Sequence, residues 1–380
     1  MATYYVDGTI VSASGSGSGT ELDPWGKTDD LLQYAGDQIL AGAGKGAEGD
    51  TIFIVAGDVN STTTPMLDFT NSDFVHLWIV GRGRELTEWD CGTQNYMTSY
   101  SSSNPAGAAG NGVSITVCNL TVNWQDNIGT AGTYNSLTGR HSNFYDCDLL
   151  LYNSSSQTGN HGRLNAHNQQ VDVINCRWHK GYNVLDSRSS SRCINTVIVA
   201  APSPSFERNS YAGVWVNCIF DWRLAADSGN RGITDYNPVC INCTYLLNPS
   251  VSRVAVVANF DGAKLLNCYI EGGRAIIGQP YSQNYTYSML SNIYCYNTTS
   301  LLGNGTVTTE SYKENLVMLT ESGLKDAANG DYRPKDNLIA VSTGGIPAWT
   351  ESNAVTQRPT IGAYTAQNLI GKPYYPRARG

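Results

Sequence analysis

Leu266-Asn267-Cys268-Tyr269 is answered 25 residues later by Ser291-Asn292-Ile293-Tyr294. The same phrase, a polar residue and most often Asn followed by Cys or an apolar residue, recurs along the chain. It reads Asp90-Cys91, Val117-Cys118, Asp146-Cys147, Asn175-Cys176, Asn195-Thr196, Asn217-Cys218, Asn242-Cys243, Asn267-Cys268, Asn292-Ile293 and Asn315-Leu316; Val117-Cys118 and Asn195-Thr196 fit it only in part. Successive first members stand 27, 29, 29, 20, 22, 25, 25, 25 and 23 residues apart. A period in this range marks a solenoid, either leucine-rich or β-helical. The leucine pattern is absent. Between the marks lie short β-branched or aromatic runs, such as Val214-Trp215-Val216 and Val254-Ala255-Val256-Val257, separated by Gly, Asn, Ser and Pro clusters. Three strands of four or five residues plus turns fill about 25 residues, one coil of a parallel β-helix.

The geometry of such a coil explains the mark. Each residue sits about 4.8 Å above its counterpart, the spacing of paired strands. Equivalent Asn side chains then bond in a ladder. Asn also tolerates the left-handed backbone of a sharp corner, and the Cys beside it points inward as a small apolar residue. Stacked Cys in adjacent coils keep their Cβ atoms about 4.8 Å apart, too far for a relaxed disulfide, so buried free thiols are expected. Cys240-x-x-Cys243 is the one CxxC, with no second pair or His pair at finger spacing. In a strand its two thiols face opposite ways, which argues against a zinc site. Seven Asn-x-Ser/Thr sequons occur, but Asn242 lies on the ladder itself, where no glycan fits.

Composition agrees with a β-rich solenoid. The 380 residues carry a net charge of −8, with only 15% charged, 41% hydrophobic and 23 tyrosines. The apolar share excludes a disordered chain. The acidic balance with few Lys and Arg argues against a nucleic-acid groove. No apolar run reaches 18 residues, so no membrane partner is expected. Met1 to Val6 lacks the basic and apolar regions of a signal peptide and enters a strand-like segment directly.

The ends of a solenoid must be covered. Residues 28–41 predict a capping helix, with Thr28 as N-cap, Asp29 and Asp30 in the first turn, and Leu31, Ala35 and Ile39 on one face. Residues 49–55 and 74–80 read as the first coil strands. The expected organisation is an N-terminal strand and capping helix over 1–48, a parallel β-helix over 49–319, and a fold-back cap over 320–380.

Tyr4-Tyr5-Val6, the Gly-Ser-rich stretch, Asp23-Pro24-Trp25 and Gly49-Asp50-Thr51-Ile52 resemble the opening of right-handed parallel β-helix proteins of the pectin-lyase-like superfamily. Asp331-Tyr332-Arg333-Pro334 followed by Ile361-Gly362-Ala363-Tyr364 is similar to the closing segment many of them carry. The resemblance implies an all-β, single-stranded right-handed parallel β-helix of about ten coils. The superfamily includes polysaccharide lyases, glycoside hydrolases, adhesins and bacteriophage tailspikes or capsid spikes, so the fold alone does not select a function.

The lyases it resembles hold calcium on a carboxylate cluster; the hydrolases pair Asp residues on neighbouring coils. No acidic column stands at equal offsets from the marks. The nearest approach places His167, Asp186 and Asp235 on one face of three strands (162–167, 181–186 and 231–235), with Arg163 and Arg188 nearby. Asp186 and Asp235 are then about two coils apart, roughly 10 Å, at the long edge for an inverting pair. The alternative is that these are solvated strand-edge groups and a surface ion pair. His161 and His167 lack an adjacent acidic pair that would complete a metal site. Trp178, Trp215 and Trp222 either stack on sugars or pack laterally, including at a subunit interface.

The resemblance, together with the lack of a signal-peptide pattern and the low-charge, Tyr- and Asn-rich surface, implies a bacteriophage virion component, a capsid decoration or spike that contacts glycans. It would assemble in the host cytoplasm with inward thiols suited to a reducing compartment. The spikes it resembles imply a homotrimer and capsid or tail partners. No cofactor is expected; calcium enters only with a lyase. The competing expectations are a secreted polysaccharide lyase or hydrolase, acting through Asp186, Asp235, His167 and Arg188, and a bacterial surface adhesin.

Overall fold

The computed structural model describes residues 2–43, 47–63, 67, 74–92, 114–125, 142–152, 164–166, 171–181, 185–187, 192–200, 214–223, 233–235, 239–249, 254–258, 264–273, 275–278, 289–298, 312–329 and 331–335. The chain is a parallel β-helix, with its long parallel sheet wound round an axis. It groups into two compact units, Met1–Arg192 and Cys193–Gly380.

In the N-terminal unit, strands Ala2–Asp7, Ala47–Ala56, Phe74–Gly81, Ser114–Cys118, Ser142–Tyr145 and Val171–Ile174 stack in parallel. Ala2 pairs with Thr51, so the N-terminal strand is itself the first rung. Register places Phe53, Ile79, Val117, Phe144 and Val173 in one buried column. A second file runs through Val59–Asn60, Glu88–Gly92, Thr121–Gln125, Asp148–Tyr152 and Arg177–Gly181. Its inward column is Val59, Trp89, Val122, Leu149 and Trp178. Strand side chains alternate between faces, so alternate positions reach the axis and stack on their counterparts. Each buried Val, Leu or Phe contributes about 1.5–3 kcal/mol.

The C-terminal unit repeats the plan. Val214–Val216, Val239–Ile241, Lys264–Glu271, Met289–Tyr296 and Tyr312–Leu319 form one file. Val197–Ala200, Ile219–Trp222 and Thr244–Leu247 lead into the C-terminal halves of the last three of those strands. Here the inward column is Ile198, Phe220, Tyr245, Ile270 and Cys295, all buried. The Phe220 and Tyr245 rings stack at 4.8 Å and 11°. A third file joins Ile233–Asp235, Val254–Ala258 and Ala275–Gly278.

The repeated Asn is the corner. Asn119, Asp146, Asn175, Asn195, Asn217, Asn242, Asn267, Asn292 and Asn315 all have φ between 50° and 57°. Asn tolerates this left-handed conformation better than most residues. In the C-terminal unit their amides form the expected ladder. Asn217 Nδ2 donates to Asn195 Oδ1 (2.6 Å), Asn242 to Asn217 (2.9 Å) and Asn267 to Asn242 (2.9 Å). Asn315 likewise donates to Asn292 (2.7 Å). Two of the marks stand out of register with the corners. The corner at the second is Asn119, one residue after Cys118, and Asp90 is no corner at all; Gly92 carries the positive φ there.

All ten cysteines are free thiols, nine of them buried. Cys118 is the half-buried exception because it precedes its corner and pairs in register with Tyr145. The thiols that follow a corner sit in file and donate to carbonyls. Cys243 Sγ reaches Trp215 O (3.4 Å) and Ile241 O (3.5 Å), and Cys268 reaches Cys240 O (3.6 Å) and Leu266 O (3.4 Å). The expectation that Cys240 and Cys243 face opposite ways fails. The corner at Asn242 lies between them and turns both inward.

The capping helix spans Leu31–Ala43. Leu31, Ala35 and Ile39 are buried as expected, together with Leu32. Asp30, not Thr28, is the N-cap: its carbonyl accepts the Tyr34 N–H (2.9 Å). The Asp30 carboxylate does not turn back onto its own helix. It accepts the Thr62 N–H (2.6 Å) and the hydroxyl of Thr62 (2.7 Å), while Asp29 accepts Asn60 Nδ2 (2.8 Å). Partial burial opposes ionisation of Asp30, but the Thr62 and Thr63 hydrogen bonds outweigh it and hold the carboxyl below its ordinary value.

Candidate functional site

Asp186 is the middle residue of strand Leu185–Ser187 and pairs in register with Asn165. Asp235 closes strand Ile233–Asp235 and pairs with Ala258. The three segments read as strands therefore do contain strands. Asp186 and Asp235 belong to different sheets and different units. His167, Arg188, Arg163 and His161 lie outside the described residues. Trp178, Trp215 and Trp222 are not available to stack on a ligand. They are 0%, 2% and 1% exposed, and the inward columns of the coils take up their rings.

The structure instead builds a polar file on the lateral face of the N-terminal unit. Register aligns Ile52, Trp78, Thr116, Asn143 and Asp172 on successive coils. These are the positions that point away from the axis, between the buried residues of each strand. The imidazole of His76 stacks on Trp78 (5.2 Å, 21°), and its Nε2 lies 2.7 Å from Thr116 Oγ1. Asn143 Nδ2 donates to the same hydroxyl (3.2 Å). One coil further, Arg192 grips Asp172 with both arms, Nε to Oδ1 at 3.0 Å and the second nitrogen to Oδ2.

Burial divides this file into a fixed floor and reachable edges. Thr116 and Asp172 are buried, whereas the Arg192 side chain is half exposed. The hydrogen bonds to Asp172 raise the guanidinium above its ordinary value, so it stays charged. Burial, then the neighbouring Asp172 charge, pushes the Tyr145 phenol up and keeps it neutral. An aromatic pair beside an amide and a held guanidinium offers a stacking plane and fixed donors, and the Thr116 hydroxyl beside His76 is fully enclosed. Sequence reasoning missed this file because its members lie 20 to 40 residues apart and carry no shared motif. The signal that could find it is the register counted back from each corner.

Among the described residues, no group of three or more His, Cys, Asp or Glu converges to hold a metal ion. No helix among them is long and apolar enough to cross a membrane. Neither a protein-family model nor a curated protein matches the chain.

Proposed function

We propose that the chain is a bacteriophage structural protein, a capsid decoration or spike, that touches glycans through its lateral surface. The observation that carries this reading is how the described charged side chains are used. Arg84 spans from its own coil to Asp146 (3.4 Å) and Asp148 (3.5 Å). Arg192 is bound to Asp172, Arg223 to Asp221 (2.5 Å) and Arg333 to Asp331 (2.5 Å). Such pairs, with an amide ladder and inward thiols, stiffen the coils that they join. The partners are two further copies of this chain in a trimer and a capsid or tail protein, in a virion assembled in the host cytoplasm. The His76–Trp78 stack and the exposed edge of Arg192 suit a neutral or acidic glycan.

A second reading is a polysaccharide lyase or hydrolase acting through Asp186, with Asp235, His167 and Arg188. It is favoured by the placement of Asp186 directly beside Asn165 on the next coil. The decisive experiment combines two arms. Immunogold labelling of purified phage particles is expected to decorate capsid or tail. A panel of acidic and neutral polysaccharides, with and without calcium, is expected to show no new reducing ends. Cleavage that disappears in Asp186→Asn would overturn the structural reading.

A further inference from the structure

After its last long strand the C-terminal unit turns back on itself. Leu324–Asp326 and Asp331–Pro334 form an antiparallel pair joined by the short 3-10 turn Ala327–Asn329. This pair is a sheet of its own, separate from the coil sheets. Leu324, Ala327 and Tyr332 pack on Ile219, Leu246, Tyr269 and Tyr294, which point outward from successive coils. The segment is therefore laid along the side of the solenoid.

Its ties to the coils run through side-chain groups. Tyr332 Oη donates to Asp221 Oδ2 (2.6 Å) across 111 residues of sequence. Ser322 Oγ donates to Glu271 Oε2 (2.7 Å), the oxygen that also accepts the Tyr269 hydroxyl (2.6 Å). The Gly323 N–H donates to Tyr269 Oη (2.8 Å). Asp221 and Glu271 occupy one outward column, with Leu246 between them, so they stand two coils or about 10 Å apart. Arg223 grips Asp221 from its own strand end. The strap's own charges are engaged nearby: Arg333 with Asp331, and Lys335 loosely with Glu321 (3.8 Å).

We infer that residues 320–335 are a releasable strap, held by two hydroxyl-to-carboxylate latches, that closes over the Asp221–Glu271 face. A coil is held to its neighbours by continuous backbone ladders, whereas the strap's described ties to the coils run through side chains and three buried apolar groups. Segments fastened in this way open as units well below the free energy of global unfolding. Opening exposes Asp221, Tyr269 and Tyr294, which are buried in the closed state, and widens access to the partly exposed Glu271 and Arg223. In the closed state both carboxylates take hydroxyl donors, so the open face is pre-shaped for hydroxyl groups. This inference does not rest on the virion reading.

Native-state hydrogen exchange on the full chain tests it, together with carbodiimide labelling of carboxyl groups read by mass spectrometry. In the wild type, amides of residues 324–333 should exchange at least tenfold faster than those of Met289–Tyr296. In Tyr332→Phe combined with Ser322→Ala the strap amides should accelerate by a further tenfold or more. Labelling of Asp221 and Glu271 should rise in parallel, while Met289–Tyr296 and Leu265–Ile270 keep their protection. Strap and coils exchanging together in the wild type would overturn the inference. So would a double variant whose strap accelerates without new labelling at Asp221 and Glu271.

Discussion

In the C-terminal unit the corner amides of Asn195, Asn217, Asn242 and Asn267 bond one another in file; in the N-terminal unit the corresponding file is broken by Asp146 and bridged by Arg84. Amides are self-complementary: each carries a donor and an acceptor, so a column of them extends without outside help. A carboxylate only accepts. Asp146 therefore needs a donor from elsewhere, and Arg84 supplies it from a turn two corners away. Arg84 Nε also donates to the Asp146 carbonyl (2.5 Å), and its second arm reaches the Asn175 carbonyl. The turn that carries Arg84 is seated by close backbone contact. The Gly83 N–H donates to Asn119 O (3.1 Å), and Asn119 Nδ2 donates to Gly81 O (3.1 Å). A Cβ on Gly81 would lie 2.6 Å from that Asn119 oxygen. One corner is held by repetition, the other by a single long side chain.

Breaking the amide file should have the largest effect. Asn242 is fully buried, donates to one neighbour and accepts from the next. Asn242→Ala strands both partners and keeps a side chain in the left-handed region, at about 3 kcal/mol in all. Asn242→Gly relieves the backbone and should cost about half as much. Urea unfolding would decide it; equal losses for Ala and Gly would remove the backbone from the explanation.

The thiol file is common to both units, so Cys147 and Cys243 should respond alike. Leu at either position overpacks the corner at about 2 kcal/mol. Ser should cost less, because the carbonyls that now take the thiol remain as acceptors. Burial pushes both thiols up. An aromatic disulfide reagent at pH 8 should find no fast-reacting thiol in the native protein and ten after denaturation. Cys118, pushed up to about 12 by burial and by Cys147 and Asp146, should react slowly in spite of its exposure.

Arg84→Met is expected to cost about 1 kcal/mol, since Asp146 is more than half exposed and water replaces part of the lost bond. The comparison sharpens in the Asp146→Asn background. There the file regains an amide, and the same Arg84→Met change should lose roughly half its effect. An undiminished loss would show that Arg84 acts through the carbonyls and Asp148 alone.

The smallest effect lies at the capping helix. Asp30 titrates below its unfolded value, so its contribution is fully present above that value. It is lost as pH falls through the lower, folded one. Exchange protection of residues 31–39 should drop as the pH falls below the ordinary carboxylate value, and Asp30→Asn should abolish that dependence. A helix that loosens equally in Asp30→Asn would place the acid sensitivity elsewhere.

The corners from Asp146 to Asn315 were legible because each needs one scarce backbone conformation, which few residue types supply. Asn119 was missed because Cys118 precedes its corner, and Asp90 was misread because glycine supplies the positive φ there. The three tryptophans were legible as aromatic but not as interior, since inward and outward positions exchange at every corner. The lateral file of Thr116, Asn143 and Asp172 is hidden in the spacing of its members and emerges only when positions are counted back from each corner. Loops of unequal length separate its members, and only the ladder brings them into line. The strap's latch to Asp221 joins positions 111 residues apart, with no local signal at either end.

The equal 25-residue steps between Asn217, Asn242, Asn267 and Asn292 carry an ambiguity. A folding chain that slipped by one whole coil would meet the same amide, often the same thiol, and a strand of similar shape. Repetition specifies how coils join but not which coil joins which. The alignment must be fixed by contacts that occur once: Arg84 reaching Asp146, and Tyr332 finding Asp221. Such singular contacts act as check digits on an otherwise periodic message, and a chain that lost them would be free to misnumber its own coils.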